Sequence, residues 1–210
     1  DFIEFSNTVS DPITVFAGMN ISLDPQVSIT IITASGHIRG AIGKYSDPEE
    51  ENDYSISLLI SYEEFNYFIG GDISKEIEHR IIAESAMGDI DVYKISHHGA
   101  YTSTSKQFLD LIRPEVAIIS NGSHACYNHP RQITLDALHE INDLDVYQTN
   151  KLLKLENCQS NKTVGGNVDD HYIADPESVN SDGIVSIKVK NSIYKIEMPS
   201  KDFSRQYEIE

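Results

Sequence analysis

The period of the hydrophobic positions changes along the chain, and each change marks an element. Between residues 11 and 35, Ile13-Thr-Val-Phe16 is a short apolar run and Gly18-Met-Asn20 a turn signal, after which Val27, Ile29 and Ile31 alternate with Ser28 and Thr30. Period-two alternation marks a half-buried strand, so this part is expected to be a β-meander. Residues 43 to 54, polar and acidic with Asp47-Pro48 and Glu49 to Glu51, read as a loop. Ser55 to Tyr62 and Phe65 to Ile69 are strand-like runs joined by Glu63-Glu64, a predicted hairpin. Over residues 73 to 85 the spacing becomes helical: Ile73, Ile77 and Ile81 share one face, Lys75, Glu78 and Glu84 fall elsewhere, and Gly88 reads as the stop.

Strand–helix units follow. A strand over 91–96 leads to Thr102-Ser-Thr-Ser105, a run of good N-cap residues, and then to a helix with Phe108, Leu109 and Ile112 inward, stopped by Pro114. A strand over 116–120 precedes a helix over 131–142, with Pro130 at its start and Leu138 and Ile141 on its apolar face, and Val146-Tyr147 is a short last strand of this part. Tyr93 and Tyr147 are expected in the core. Residues 157–182 turn to Asn, Ser, Gly and Asp and read as a flexible loop or insertion; residues 183–200 read as a closing hairpin around Asn191-Ser192, and 201–210 as a polar tail. With 1–156 as the main body, the class is α/β, with antiparallel hairpins at both ends and strand–helix alternation between them.

The chain has 210 residues, 40% hydrophobic, enough for one domain with a real core. Its net charge of -17 argues against free binding of long duplex DNA, which needs Lys and Arg against phosphates. Cys126 and Cys158 form no CxxC pair and are expected as thiols. No apolar run reaches the length of a membrane span and no signal peptide is visible. The sequence begins at Asp1 without Met, which suggests part of a longer polypeptide.

Three predicted strands end in groups that carry chemistry, the place where open sheets put their sites. Tyr67-Phe-Ile69 runs into Gly70-Gly71-Asp72, the 91–96 strand into His97-His98-Gly99, and the 116–120 strand into Asn121-Gly122 and on to Asn128-His129-Pro130. Asp72 is either a metal-facing carboxylate or a helix N-terminal residue, or both. Adjacent strand residues point to opposite faces, so one of His97 and His98 is expected to face a metal while the other does something else. Gly99 and the hydroxyls after it, Ser103 among them, suit a loop wrapped around a ligand. His129 would orient a substrate oxygen, give a proton to a leaving group, or cap the next helix, with Asn128 beside it. Asn52-Asp-Tyr-Ser55 would fix a loop near the site or form a structural turn. His79 and His139 fall within helices and read as surface residues. A thiol nucleophile at Cys126, near His124 and His129, is a minor reading, and neither a GxSxG elbow nor a Gly-rich phosphate loop is present.

Ser55 to Tyr62, Phe65 to Asp72, Asp91 to Gly99, Thr102 to Ser105, Arg113 to Ser120 and Asn128-His-Pro130, taken in order, resemble metallo-β-lactamase-fold hydrolases. They are closest to the ComEC-like branch of DNA-uptake proteins and its stand-alone relatives, over roughly residues 11 to 150. The resemblance implies an αββα sandwich with a two-metal site at one edge, holding zinc or manganese. In it, a carboxylate like Asp72 bridges the metals, and His97, or alternatively His98, binds one of them. His129, Asn128 and Ser103 would contact a phosphoester substrate, in a nucleic acid or a small phosphodiester. The family's first metal motif, HxHxDH, is absent, and His37 is the only histidine before Asp72. The resemblance therefore implies the C-terminal half of the fold, with the N-terminal half as its missing partner, and an extracytoplasmic lean for the membrane-linked branch. A scaffold domain of the same fold that has lost its metals is the alternative.

Overall fold

The computed structural model describes residues 13–43, 51–123, 127–153, 164–177 and 183–209. A nine-stranded sheet forms its centre. Strands β1 (Asn20–Ser22), β2 (Val27–Ala34), β4 (Ser57–Tyr62) and β5 (Phe65–Ile69) pair antiparallel in that order, and the short β3 (His37–Ile38) folds back on β2. From β5 onward the ladder is parallel, through β6 (Val92–Lys94), β7 (Val116–Ile119), β8 (Asp145–Asn150) and β9 (Ile173–Asp175). Parallel neighbours need crossovers, and helices α1 (Lys75–Ala83), α2 (Lys106–Ile112) and α3 (Gln132–His139) supply those from β5 to β6, β6 to β7 and β7 to β8.

Alternation along the strands sorts the core into two layers. Phe68, Tyr93, Ala117 and Ile119 face the helices and meet Ile77 and Ile81 of α1, Phe108, Leu109 and Ile112 of α2, and Leu135 and Leu138 of α3. Their neighbours Phe65, Val92, Val116, Ile118 and Tyr147 face the other way. There they pack on Tyr194, Ile196 and Met198 from a second, antiparallel sheet of β10 (Ser186–Lys190), β11 (Ile193–Met198) and β12 (Phe203–Glu208). Central strands buried on both faces read as continuous apolar runs, as Val116–Ile119 does. The described residues thus form a mixed α/β arrangement with a helical layer, a large sheet and a small sheet.

Several expectations shift. Ile13–Phe16 forms no strand, and Ile13 and Phe16 are 74% and 64% exposed; the first strand is Asn20–Ser22, which finds its partner in β2. Within the expected acidic loop, Glu51–Tyr54 is a 3-10 turn with Asp53 buried, while 44–50 lie outside the described residues. Helix α1 ends with Glu84 as its C-cap, ahead of Gly88, and α3 ends at His139. Helix α2 stops where Arg113 turns left-handed, one residue before Pro114. Two differences are larger. The stretch expected to be a flexible loop holds β9, with Ile173 and Ala174 buried against β8, and the residues expected as a polar tail form β12. Tyr93 and Tyr147 are fully buried as expected, and His79 and His139 are exposed.

Candidate functional site

The C-terminal ends of β5, β6 and β7 lie side by side, and their loops build one surface. The β5 end needs its glycines: a Cβ on Gly70 would sit 2.0 Å from Ser96 Oγ, so the β5 and β6 ends could not approach as they do. Asp72 follows, half-buried, with its backbone N–H donating to Ser55 Oγ at 3.2 Å. Asp53 Oδ1 accepts from the Ser74 N–H at 3.2 Å, so the Asn52–Ser55 segment does fix the Asp72 loop.

After β6 the chain leaves extended geometry. His97 and His98 are both left-handed, with φ of 48° and 56°, so the rule that neighbours on a strand face opposite ways does not apply to them. Both rings stay on the same side of the molecule, 6.5 Å apart between centroids. His98 Nδ1 lies 2.6 Å from the carbonyl oxygen of Ser120, at the end of β7. A carbonyl only accepts, so Nδ1 carries the proton and the lone pair of the neutral ring is on Nε2. That Nε2 stands 3.7 Å from Asp72 Oδ1, with the two side chains 46% and 37% exposed. His97 Nε2 faces Asn52 Nδ2 at 3.5 Å and its Nδ1 faces Thr102 Oγ1 at 3.4 Å.

His129 completes the group. Its ring centroid lies 5.6 Å from that of His97, and the exposed Tyr127 ring stands 6.1 Å from it on another side. His98, Asn121, Gly122, Tyr127 and His129 line a cavity of about 200 Å³. Burial is the largest influence on His129 and pushes its pKa down to about 4. The His97, Arg131 and His98 charges push the same way, and Asp72 opposes them. His129 is therefore a neutral imidazole near pH 7. Lys94, at the end of β6, feels the Asp72 carboxylate; burial draws its pKa down and that carboxylate draws it up, with burial the stronger.

Of the residues singled out from the sequence, Asp72, His97, His98 and His129 are brought together. Asn128, left-handed with φ of 53°, leads into His129. Ser103 is placed otherwise: it is 1% exposed, and its hydroxyl donates to the carbonyls of Ser96 and Ala100, so it braces the loop from inside. Cys126 and His124 lie outside the described residues. One contributor has no signal in the sequence, the main-chain carbonyl of Ser120. Asn121, named among the strand-end groups, ties the β7 end to β8: its amide donates to the Asn150 carbonyl and its backbone N–H to Thr149 Oγ1.

The donor chemistry can be compared with a metal. Two bonds of about 2.0–2.2 Å meeting near a tetrahedral angle hold their donor atoms about 3.4 Å apart. The 3.7 Å between Asp72 Oδ1 and His98 Nε2 is a few tenths wider, and the His98 tautomer presents a lone pair. A carbonyl accepting from the far ring nitrogen is the usual arrangement for a ligating histidine. Among the described residues, no three His, Cys, Asp or Glu groups stand close enough to hold an ion. The pair thus fits part of one coordination shell.

No protein-family model matches the chain. It is 34% identical over 92 residues to ComE operon protein 3 of Bacillus subtilis (strain 168), a stretch that makes up 44% of this chain and 12% of that protein. It is 34% identical over 89 residues to Recombination protein 2 of Haemophilus influenzae, 42% of this chain and 11% of that one. A crystal structure from Parabacteroides distasonis, of a protein provisionally named a metal-dependent hydrolase, matches with a TM-score of 0.43 and 14% identity over 69% of this chain and 60% of its own. No helix among the described residues is long and apolar enough to cross a membrane. Similarity to ComEC-like proteins therefore covers somewhat under half of the chain, and the chain spans about an eighth of those relatives' length.

Proposed function

We propose that this chain carries half of a metal-dependent hydrolytic site acting on phosphoester bonds. The observation that carries the reading is the Asp72–His98 pair, a carboxylate oxygen and an imidazole nitrogen with a lone pair, 3.7 Å apart past the C-terminal ends of two parallel strands. Asp72 and His98 would hold the metal, zinc or manganese, and the ligands still needed, including those for a second ion, would come from water, substrate or a further part of a longer polypeptide. A bound metal would supply a water acidified toward neutral pH and a Lewis acid for the phosphoryl oxygen. The chain's own residues do the rest. The Ser120 carbonyl holds the His98 ring in the ligating tautomer. His129, uncharged at pH 7, offers both a lone pair and an N–H toward a substrate oxygen. His97 sits between them, anchored by Asn52 and Thr102. The name Recombination protein 2 on a relative suits a nucleic-acid phosphodiester.

A second observation supports the idea of a missing half. Ile60, Tyr62 and Tyr67 of the large sheet and Ile187 and Val189 of β10 line an apolar groove of about 450 Å³. Strand β10 is an edge of the small sheet, so a strand added to it would continue that sheet over the groove. We propose that a further β-layer of a longer polypeptide seats there and brings the remaining metal ligands and the outer helices of an αββα sandwich. The test is hydrolysis of bis(4-nitrophenyl) phosphate by the longest natural polypeptide containing this chain, with Mn(II) or Zn(II). Activity abolished by chelator and by Asp72→Ala is expected; no metal-dependent hydrolysis would favour the reading of a scaffold domain that has lost its metals.

A further inference from the structure

Spacing puts Glu78 off the isoleucine face of α1, yet it is fully buried, 0% exposed. Its two oxygens take separate partners: Oε1 accepts from the Thr104 backbone N–H at 2.6 Å and Oε2 from the Ser105 N–H at 2.7 Å. Thr104 is held left-handed, with φ of 59°, and Ser105 is the N-cap of α2, its hydroxyl accepting from the Phe108 N–H. One turn earlier on α1, the Lys75 N–H donates to the Thr102 carbonyl at 2.7 Å. Helix α1 therefore grips the 100–105 loop at both Thr102 and Thr104-Ser105. That loop begins at the His97-His98-Gly99 turn, and α1 begins just after Asp72. Thr102 in turn presents Oγ1 to His97 Nδ1. The ionisable groups facing Glu78 are Lys75 on its own helix and Tyr93 from β6; the loop itself offers backbone N–H groups and the Ser105 hydroxyl.

We propose that Glu78 is a positioning residue for His97: its carboxylate clamps the 100–105 loop so that Thr102 Oγ1 stays at Nδ1 and accepts its proton, the tautomer that leaves the Nε2 lone pair toward the Asn52 amide. A purely space-filling carboxylate would not need two backbone donors, one on each oxygen. A neutral amide in its place accepts at one oxygen and points an NH2 group at the other N–H, which releases one of the two. The link from loop to ring is a single hydroxyl, so slackening the loop frees His97 to exchange tautomers. The inference rests on the proposed hydrolytic reading only where activity is measured.

The experiment compares the wild type with Glu78→Gln, Glu78→Asp and Thr102→Val by long-range 1H–15N spectra of the imidazoles and amide hydrogen exchange. In wild type the His97 ring nitrogens should report one tautomer. Glu78→Gln should give Thr104 and Ser105 at least about tenfold faster exchange and move the His97 nitrogens toward the average of two tautomers, while the remote His37 and His139 stay unchanged. Glu78→Asp should restore part of the shift. Thr102→Val, which leaves the clamp intact, should move His97 without speeding the two amides. A folded Glu78→Gln protein with unchanged His97 nitrogens overturns the proposal. If that variant does not fold, an unmoved His97 in Thr102→Val overturns it instead. Hydrolysis of the same diester should fall on the order of tenfold in kcat with little change in KM. Should the spectra shift while even the wild type hydrolyses nothing, the hydrolytic reading falls and the clamp stands.

Discussion

His98 Nε2 stands 3.7 Å from Asp72 Oδ1, and the same ring's Nδ1 is 2.6 Å from the Ser120 carbonyl oxygen. The separation is too long for a hydrogen bond and suited to two bonds to one ion. Three parallel strands contribute, since Asp72 follows β5, His98 follows β6 and Ser120 follows β7. Calorimetric titration with Zn(II) or Mn(II) should therefore lose on the order of 100-fold or more in affinity with His98→Ala or Asp72→Asn, and less with His97→Ala. Affinity that depends on His97 and ignores His98 would reverse the assignment.

Two buried titrations should give the stability curve opposing slopes. Glu78 has its folded pKa raised from 4.5 to about 7, chiefly by burial. The folded state then binds more protons than the unfolded one between those values, so this group's contribution is fully present below about 4.5 and is lost as pH rises through 7; the swing is on the order of 3 kcal/mol. His129 has its folded pKa lowered from 6.5 to about 4. Here the unfolded state binds more protons, so stability falls as pH drops from 6.5 toward 4. Urea midpoints measured from pH 4 to 8 should fall toward acid in Glu78→Gln, which keeps only the His129 slope, and rise toward acid in His129→Gln, which keeps only the Glu78 slope. Identical curves for both variants would contradict the burial of either group.

Gly99 couples the histidine turn to the helix behind it. Its φ is +78°, and a Cβ there would meet Pro130 Cβ at 2.8 Å. Its carbonyl also accepts from the Arg131 N–H at 2.9 Å, at the N-cap of α3. Gly99→Ala should cost about 1–3 kcal/mol of stability and shift the His98 and His129 imidazole resonances together. Gly88→Ala, where an added Cβ meets nothing, is the control and should leave both unmoved.

The sequence made visible whatever depends on local pattern. Phe65–Ile69 has the expected bounds because Glu63-Glu64 and Gly70-Gly71 bracket an apolar run. Asp72, His97, His98 and His129 were identifiable because the rule about strand ends needs only the order of elements. What escaped depends on neighbours far along the chain. Glu78 lies off the isoleucine face of α1, and only the loop folded over that flank buries it. The Ser120 contribution is a backbone atom, which no residue type announces. Strand β9 has two buried apolar residues, Ile173 and Ala174, too few to show a period, and it exists because the β8 edge is there to pair with it. Ser103 is one of four hydroxyls in its segment, and nothing local tells that its side chain is the one turned in to the Ser96 and Ala100 carbonyls.

The C-terminal strand offers the last test, since its sequence, Phe-Ser-Arg-Gln-Tyr-Glu, carries little apolar weight. Its alternate residues nevertheless face inward on the small sheet. The Tyr207 ring stacks on Tyr194 at 4.9 Å between centroids, Phe203 meets Tyr147 at 5.8 Å, and Arg205 reaches Asp145 Oδ2 at 2.8 Å. The Tyr207 hydroxyl donates to the same carboxylate oxygen at 2.9 Å, which fastens the small sheet to the edge region of the large one at β8. Tyr194 is fully buried, between Phe65 of the large sheet and Tyr207 of β12. Phe and Tyr truncations in full cores cost about 3–5 kcal/mol; these rings are half-buried, so Tyr207→Ala should cost about 2–3 kcal/mol. Tyr207→Phe keeps the stacking and loses a hydroxyl that also meets that of Tyr147, for about 1 kcal/mol, and the part of the loss carried by the bond to Asp145 should vanish in an Asp145→Ala background. Chemical denaturation of the four proteins closes the cycle. A Tyr207→Ala protein as stable as the wild type would mean that residues 203–208 lie outside the sheet.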